Sequence, residues 1–221
     1  MPTNKHAIWI RFSAIYAVFL LILLVAPVVS AAPMSKQETE SLFLAVVKRG
    51  DLKNAQILVA NGANVNAKNQ FGNSALYLAA MTGKADLVQF LLKKGARANQ
   101  PNRNGRSALD AAANLGHAPV VRILLGKGAN ANAKDINGVT VLMTAVSMEV
   151  MARRLAASGY KPEHGQENRG PDPNLTIVKL LLSSGAKVDA NSLQFANGEP
   201  RIKQLLLLHS KSRPQKKRPS Q

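Results

Sequence analysis

The 221 residues include no cysteine. Its absence excludes disulfides, thiolate metal sites and a cysteine nucleophile, and leaves the fold indifferent to redox compartment. Aromatic residues are scarce, at 5% against 46% for all hydrophobic types. Helices that pack through Leu, Val and Ala, with little room for rings, give that balance. Acids are few as well: 12 Asp and Glu stand against 29 Lys and Arg, a formal charge of +17 and a pI near 10.5. Such an excess raises the question of an anionic partner. Histidine is limited to His6, His117, His164 and His209, without metal-ligand spacing and with no cysteine beside it. Phosphate-cradling glycine loops are missing, and no two acids form an obvious catalytic pair. Catalysis needs a convergent set of such groups, so no enzyme, cofactor or metal site is expected. Only a cluster of Glu163, His164 and Glu167 in a pocket would revive that class.

What the chain does contain begins with an address. Residues 1–11 carry Lys5, His6 and Arg11 and no acid, and residues 12–26 are an apolar run interrupted only by Ser13. Pro27 breaks the run before the small residues Val29, Ser30, Ala31 and Ala32. A basic start, a short apolar stretch and a small-residue end make the pattern of a secretory signal peptide, 1–31, cleaved after Ala31. The alternative is an uncleaved membrane anchor. A 15-residue helix reaches only about 22 Å, short of the roughly 30 Å hydrocarbon core. Export to the periplasm or the medium is therefore expected, with anchoring as the alternative.

Beyond it the sequence nearly repeats itself. GNSALYLAAMTGKADLVQFLLKKGARAN from Gly72 is echoed by GRSALDAAANLGHAPVVRILLGKGANAN from Gly105. Gly72 and Gly105, Ser74 and Ser107, Leu76 and Leu109, Gly83 and Gly116, Gly95 and Gly128, Asn99 and Asn132 are all offset by 33 residues. A fixed period of that size marks a stacked-repeat architecture. Each matching residue has a local reason. Ser74, Ser107 and Thr140 can cap a first helix. Ala79-Ala80 and Ala111-Ala112-Ala113 keep that helix thin, so neighbours approach closely. Gly83 and Gly116 turn the chain, and Leu87, Val88, Leu91 and Leu92, like Val120, Val121, Leu124 and Leu125, share one face of a second helix. Gly62, Gly95, Gly128 and Gly185 stand where that helix ends in a left-handed residue.

Over roughly 35–208 these features resemble the ankyrin-repeat family. The family's threonine-proline-leucine-histidine opening stands as Ser74-Ala75-Leu76-Tyr77, Ser107-Ala108-Leu109-Asp110 and Thr140-Val141-Leu142-Met143, without the proline and with the histidine replaced each time. The resemblance implies an all-α solenoid of antiparallel helix pairs linked by hairpin-like turns. Its repeats are expected at 35–68, 69–101, 102–134 and 135–190, followed by a degenerate cap at 191–208 built from Leu193, Phe195, Ala196, Ile202 and Leu205 to Leu208. The first repeat, with Leu42, Leu44, Val46 and Val47, is a polar-fronted cap. Gly128 to Gly185 is 57 residues, so 24 are inserted in the fourth repeat, within the stretch 147–174, first as a prolonged helix and then as a Pro-rich loop. The basic stretch 209–221 is expected to be a disordered tail.

Function by the same resemblance is recognition of a partner protein by a concave face. Alignment assigns hairpin-tip positions to Gln70, Phe71 and Asn73, to Arg103, Asn104 and Arg106, and to Ile136, Asn137 and Val139. First-helix positions fall on Lys48 and Arg49, Met81 and Thr82, Asn114 and Leu115, and Ser147 and Met148. Phe71, Met81, Leu115, Ile136 and Met148 would form an apolar strip. Lys48, Arg49, Arg103 and Arg106 would form a basic rim, and charge reversal at Arg103 and Arg106 is expected to leave melting unchanged. His117 is expected to make a structural hydrogen bond at the repeat turn.

Two of the 17 excess charges leave with the leader and five lie in the tail, leaving ten on the repeats. An acidic protein, or an anionic membrane surface met by the tail, suits that charge. Nucleic acid suits it less, since aromatics for stacking are few and no reading helix is evident. A monomer is expected.

Overall fold

The computed structural model describes residues 34–159 and 173–212. The chain forms two compact units, Met1–Glu38 and Thr39–Gln221. The expected signal peptide, most of the inserted loop and residues 213–221 of the expected tail lie outside the described residues. In the first unit, Ser35 and Glu38 cap each other. Glu38 donates its backbone N–H to Ser35 Oγ (3.2 Å), and its carboxylate accepts from the Ser35 N–H (2.9 Å). This box opens α1, Lys36–Lys48.

In the second unit helices come in pairs: α2 (Leu52–Ala60) follows α1, then α3 (Ala75–Thr82) with α4 (Ala85–Lys93), and α5 (Ala108–Asn114) with α6 (Ala118–Gly126). After them come α7 (Val141–Ala157) with α8 (Pro173–Ser183) and α9 (Ala190–Phe195) with α10 (Pro200–Ser212). First helices α3, α5, α7 and α9 pack in one layer, and second helices α4, α6 and α8 in another. Among the described residues there are no strands, only the antiparallel bridges Lys68–Ser74 and Lys134–Thr140 at hairpin bases. This is the expected all-α solenoid.

Capping follows the hydroxyls. Ser74 Oγ accepts from the Tyr77 N–H (3.2 Å), Ser107 Oγ from Asp110 (3.4 Å) and Thr140 Oγ1 from Met143 (3.2 Å). The thin alanines Ala79, Ala80, Ala112 and Ala113 are fully buried, as are Leu76, Leu87, Leu109, Leu124 and Leu142. Gly83 shows why one turn admits only glycine. Its φ is 70°, and a Cβ there would stand 2.7 Å from the His117 ring. That ring is held by a 3.1 Å hydrogen bond between Nε2 and the Met81 carbonyl, the structural role expected for His117.

Some expectations shift. In α1 Leu44, Val46 and Val47 are buried as expected and Phe43 joins them, while Leu42 faces outward, because a 100° step per residue turns Leu42 off the buried side. In the last pair Ile202 and Leu206 are buried but Phe195 and Leu208 are exposed. Helix α10 runs to Ser212, four residues into the stretch expected as tail.

Candidate interaction surface

The hairpins are built by one side chain each. Asn69 Oδ1 accepts from the backbone N–H of Phe71 and Asn73 (both 3.0 Å), and Asn102 Oδ1 from Asn104 and Arg106 (both 2.9 Å). Asp135 Oδ1 does the same for Asn137 and Val139 (both 2.9 Å). Such self-satisfied turns free the tip side chains to project. Neighbouring hairpins are tied by the Arg103 N–H to Phe71 carbonyl bond (3.2 Å) and the Ile136 N–H to Asn104 carbonyl bond (3.1 Å). Gly105 lies under the second tie. Its φ is 75°, and a Cβ would meet Ile136 N at 2.9 Å.

A second ladder pins each second helix to the repeat before it. Asn66 accepts from the Arg97 N–H (2.9 Å) and donates to the Gly95 carbonyl (3.2 Å). Asn99 makes the same pair with Asn130 (2.7 Å) and Gly128 (3.0 Å), and Asn132 with Lys187 (2.7 Å) and Gly185 (3.0 Å). The Asn-to-carbonyl span is 29 residues twice and then 53.

The aligned surface residues divide by what they already do. Lys48, Arg49, Gln70, Arg103, Asn104 and Asn137 are exposed. So are Phe71 at 60%, Ile136 at 69% and Met81 at 43%, large apolar areas left in water. Asn114, Leu115, Val139, Ser147 and Met148 are half-buried, which weakens the expected strip at Leu115 and Met148. Asn73 and Thr82 are engaged internally. Asn73 Oδ1 accepts from Asn102 Nδ2 (2.8 Å), and Thr82 Oγ1 donates to the Ala79 carbonyl (2.8 Å).

Arg106 is engaged more deeply. Its Nε lies 3.2 Å from Asp110 Oδ2 and 3.7 Å from Asp135 Oδ2, and both carboxylates are at least nine-tenths buried. Thr144 Oγ1 donates to Asp110 Oδ1 (3.2 Å). Burial pushes the Asp110 carboxyl above its usual range, with Arg106 and Thr144 pulling the other way and Asp135 adding to the rise. Tyr77, one repeat earlier, is likewise raised by burial against the pull of Arg106. The position where the family carries histidine is here part of a charged cluster. Reversing the Arg106 charge therefore cannot be neutral for the fold, contrary to the expectation.

One hollow on this face is lined mostly by residues the alignment did not assign. Helix α7 has 17 residues where α5 has 7. Its far half and α9 enclose a hollow of about 690 Å³ lined by Val150, Met151, Arg154, Leu155, Gln194 and Phe195 among others. Gln194 and Phe195 also border a second hollow, about 360 Å³, beside Asn137, Val139 and Met143. Ser147, Val150, Met151, Arg154 and Leu155 recur at i, i+3, i+4, i+7 and i+8, so a helical-face count over the insertion could have found them. Met151, Leu155 and Phe195 are exposed. On its other flank α7 buries Glu149, paired with Arg153 Nε at 2.6 Å.

Among the described residues no three His, Cys, Asp or Glu are grouped to hold a metal. The cluster Glu163, His164 and Glu167 lies outside them. No curated protein matches the chain. Residues 42–135 match the family model described as ankyrin repeats in three copies. Residues 42–135 are thus ankyrin repeats, and the asparagine ladder that begins in them continues to Gly185 and Lys187 in the helix pair that follows.

Proposed function

We propose that the protein is a non-catalytic adaptor that holds a partner protein against its hairpin tips and first-helix layer. Ankyrin repeats in general are protein–protein interaction modules. The observation that carries this site is the run of exposed apolar side chains along that side: Phe71, Met81 and Ile136, then Met151, Leu155 and Phe195 around the α7–α9 hollow. Apolar anchors beside exposed Lys48, Arg49, Arg103 and Arg154 suit a partner with an apolar segment flanked by acids. The chain acts as a monomer on this account. Stoichiometric capture by the wild type and by a Phe71→Gln, Ile136→Gln, Leu155→Gln triple variant tests the site. Equal capture of one isolated partner by both proteins would sink it.

The leader-like pattern of residues 1–31 supports export, so the partner is sought in the periplasm or the medium. The alternative is an adaptor held at a membrane by an uncleaved N-terminus or by the basic tail. Among the described residues no helix is long and apolar enough to cross a membrane. The intact mass of the exported chain distinguishes the two; a mass that still includes Met1 rejects cleavage.

A further inference from the structure

A second surface lies at the ends of the second helices. Lys93 and Lys94 close α4, Lys127 closes α6, and Arg97 and Lys187 follow in the turns after α4 and α8. All five are exposed. The asparagine ladder fixes where they stand. Asn66 grips the Arg97 backbone, Asn99 grips the turn after Lys127, and Asn132 grips the Lys187 backbone. Because α4, α6 and α8 pack side by side, successive rungs follow at about 10 Å, the ordinary spacing of packed helices. Lys68 and Lys134, at the hairpin bases, are exposed beside the same ladder. The acids beside these cations are already engaged: Asp189 caps α9 through Ser192, and Asp135 closes its own hairpin and faces Arg106.

The bland account is that lysines offset the negative ends of helix dipoles. It covers Lys93, Lys94 and Lys127, but Arg97, Lys187, Lys68 and Lys134 lie beyond the helix ends and gain little from it. At the opposite ends of the second helices the signs are mixed, with Arg49 beside Asp51 and Lys84 beside Asp86. The cation-only edge is thus local and not a uniform consequence of composition.

We propose that this edge docks the folded repeats onto an anionic lipid bilayer. A fixed row of long cationic side chains meets headgroups that move laterally to match it, and each Lys or Arg at such a surface strengthens binding about fivefold. Nucleic acid is disfavoured. Among the described residues no exposed aromatic lies among these cations to stack on bases, and the edge is made of helix ends and turns, not of a free helix or ribbon that could enter a groove. The surface is separate from the apolar hairpin face and acts through the folded repeats, not through residues 213–221.

The test is cosedimentation of the full chain with vesicles of equimolar phosphatidylglycerol and phosphatidylcholine, against phosphatidylcholine alone. The readout is the ratio of the two affinities at about 0.1 M salt and again at about 1 M, where the Debye length falls to about 3 Å. A strong preference for the anionic vesicles, lost at high salt, is expected. Lys94→Gln, Arg97→Gln, Lys127→Gln and Lys187→Gln together should lower the ratio several hundredfold. Replacing the three lysines by arginine should keep it, which separates charge from misfolding. A tail variant, Lys216→Gln with Lys217→Gln and Arg218→Gln, should keep most of it. No preference in the wild type, an unchanged ratio in the quadruple variant, or loss confined to the tail variant overturns the proposal. So does tighter binding of duplex DNA at the same salt.

Discussion

Replacing Arg106 by glutamine removes a cation that faces two buried carboxylates. At an effective dielectric of about 20, Nε at 3.2 Å from Asp110 and 3.7 Å from Asp135 is attracted by about 5 and about 4 kcal/mol in gross terms. Most of that is offset by the cost of desolvating the three groups. Arg106 keeps a third of its side chain in water, so the net loss is discounted again, to about 1–3 kcal/mol at neutral pH. The pH dependence identifies the cause. Asp110 already has a raised pKa, so its ionisation opposes folding. Its contribution is most favourable below the unfolded carboxylate value and is lost as pH rises through the folded one. Without Arg106 the folded value rises further. The deficit of Arg106→Gln should therefore shrink as pH falls from neutral to about 4.5, because Asp110 then takes up its proton at lower cost. Urea unfolding followed by far-UV circular dichroism at both pH values reads the difference. A deficit under about 0.5 kcal/mol, or one that does not change with pH, would refute the assignment of Arg106 to the buried acids.

Leu109→Ala, at a fully buried site between repeats, should cost about 2–5 kcal/mol in the same assay, and a loss well under about 1 kcal/mol would mean the repeat register is wrong. Asn99→Ala breaks the bonds to Gly128 and Asn130 and should cost about 1–3 kcal/mol, with hydrogen exchange rising in the turn after α6. Protection unchanged there would show that packing alone holds the turn. Gly83→Ala combines a φ of 70° with a 2.7 Å approach to the His117 ring; a loss above about 1 kcal/mol is expected, and a neutral result in a melt would contradict the steric argument. The Asp189 carboxyl is pushed up by burial but pulled further down by its bonds from Ser192. Its cap on α9 should be present above the unfolded carboxylate value and lost as pH falls through the lower folded one, read as fraying of 190–212 in hydrogen exchange.

The repeat register was legible because its carriers are local. A hydroxyl three residues before a free N–H, a glycine past a helix end, and leucines on one face act within a few residues of themselves. The tip residues Phe71 and Ile136 were legible for the same reason, since a self-closed hairpin projects whatever stands at its tip. Arg106 was not. Nothing beside it in the chain signals that Asp110, four residues on, is buried, or that Asp135 comes in from the next hairpin. The hollow between α7 and α9 was hidden in another way. Its lining comes from an insertion and from a degenerate unit, where the 33-residue period offers no template.

The sequence by itself determined that this chain stacks helix pairs, where each pair begins and ends, and which leucines it buries, because those choices follow from periodicity and capping. Only the tertiary structure decided which polar residues remain available. Stacking brings side chains a repeat apart into contact, so Arg106 and Asn73 spend hydrogen-bonding capacity inside the fold. The same stacking lines up Arg97, Lys127 and Lys187, 90 residues apart from first to last, along one edge where their charges act together.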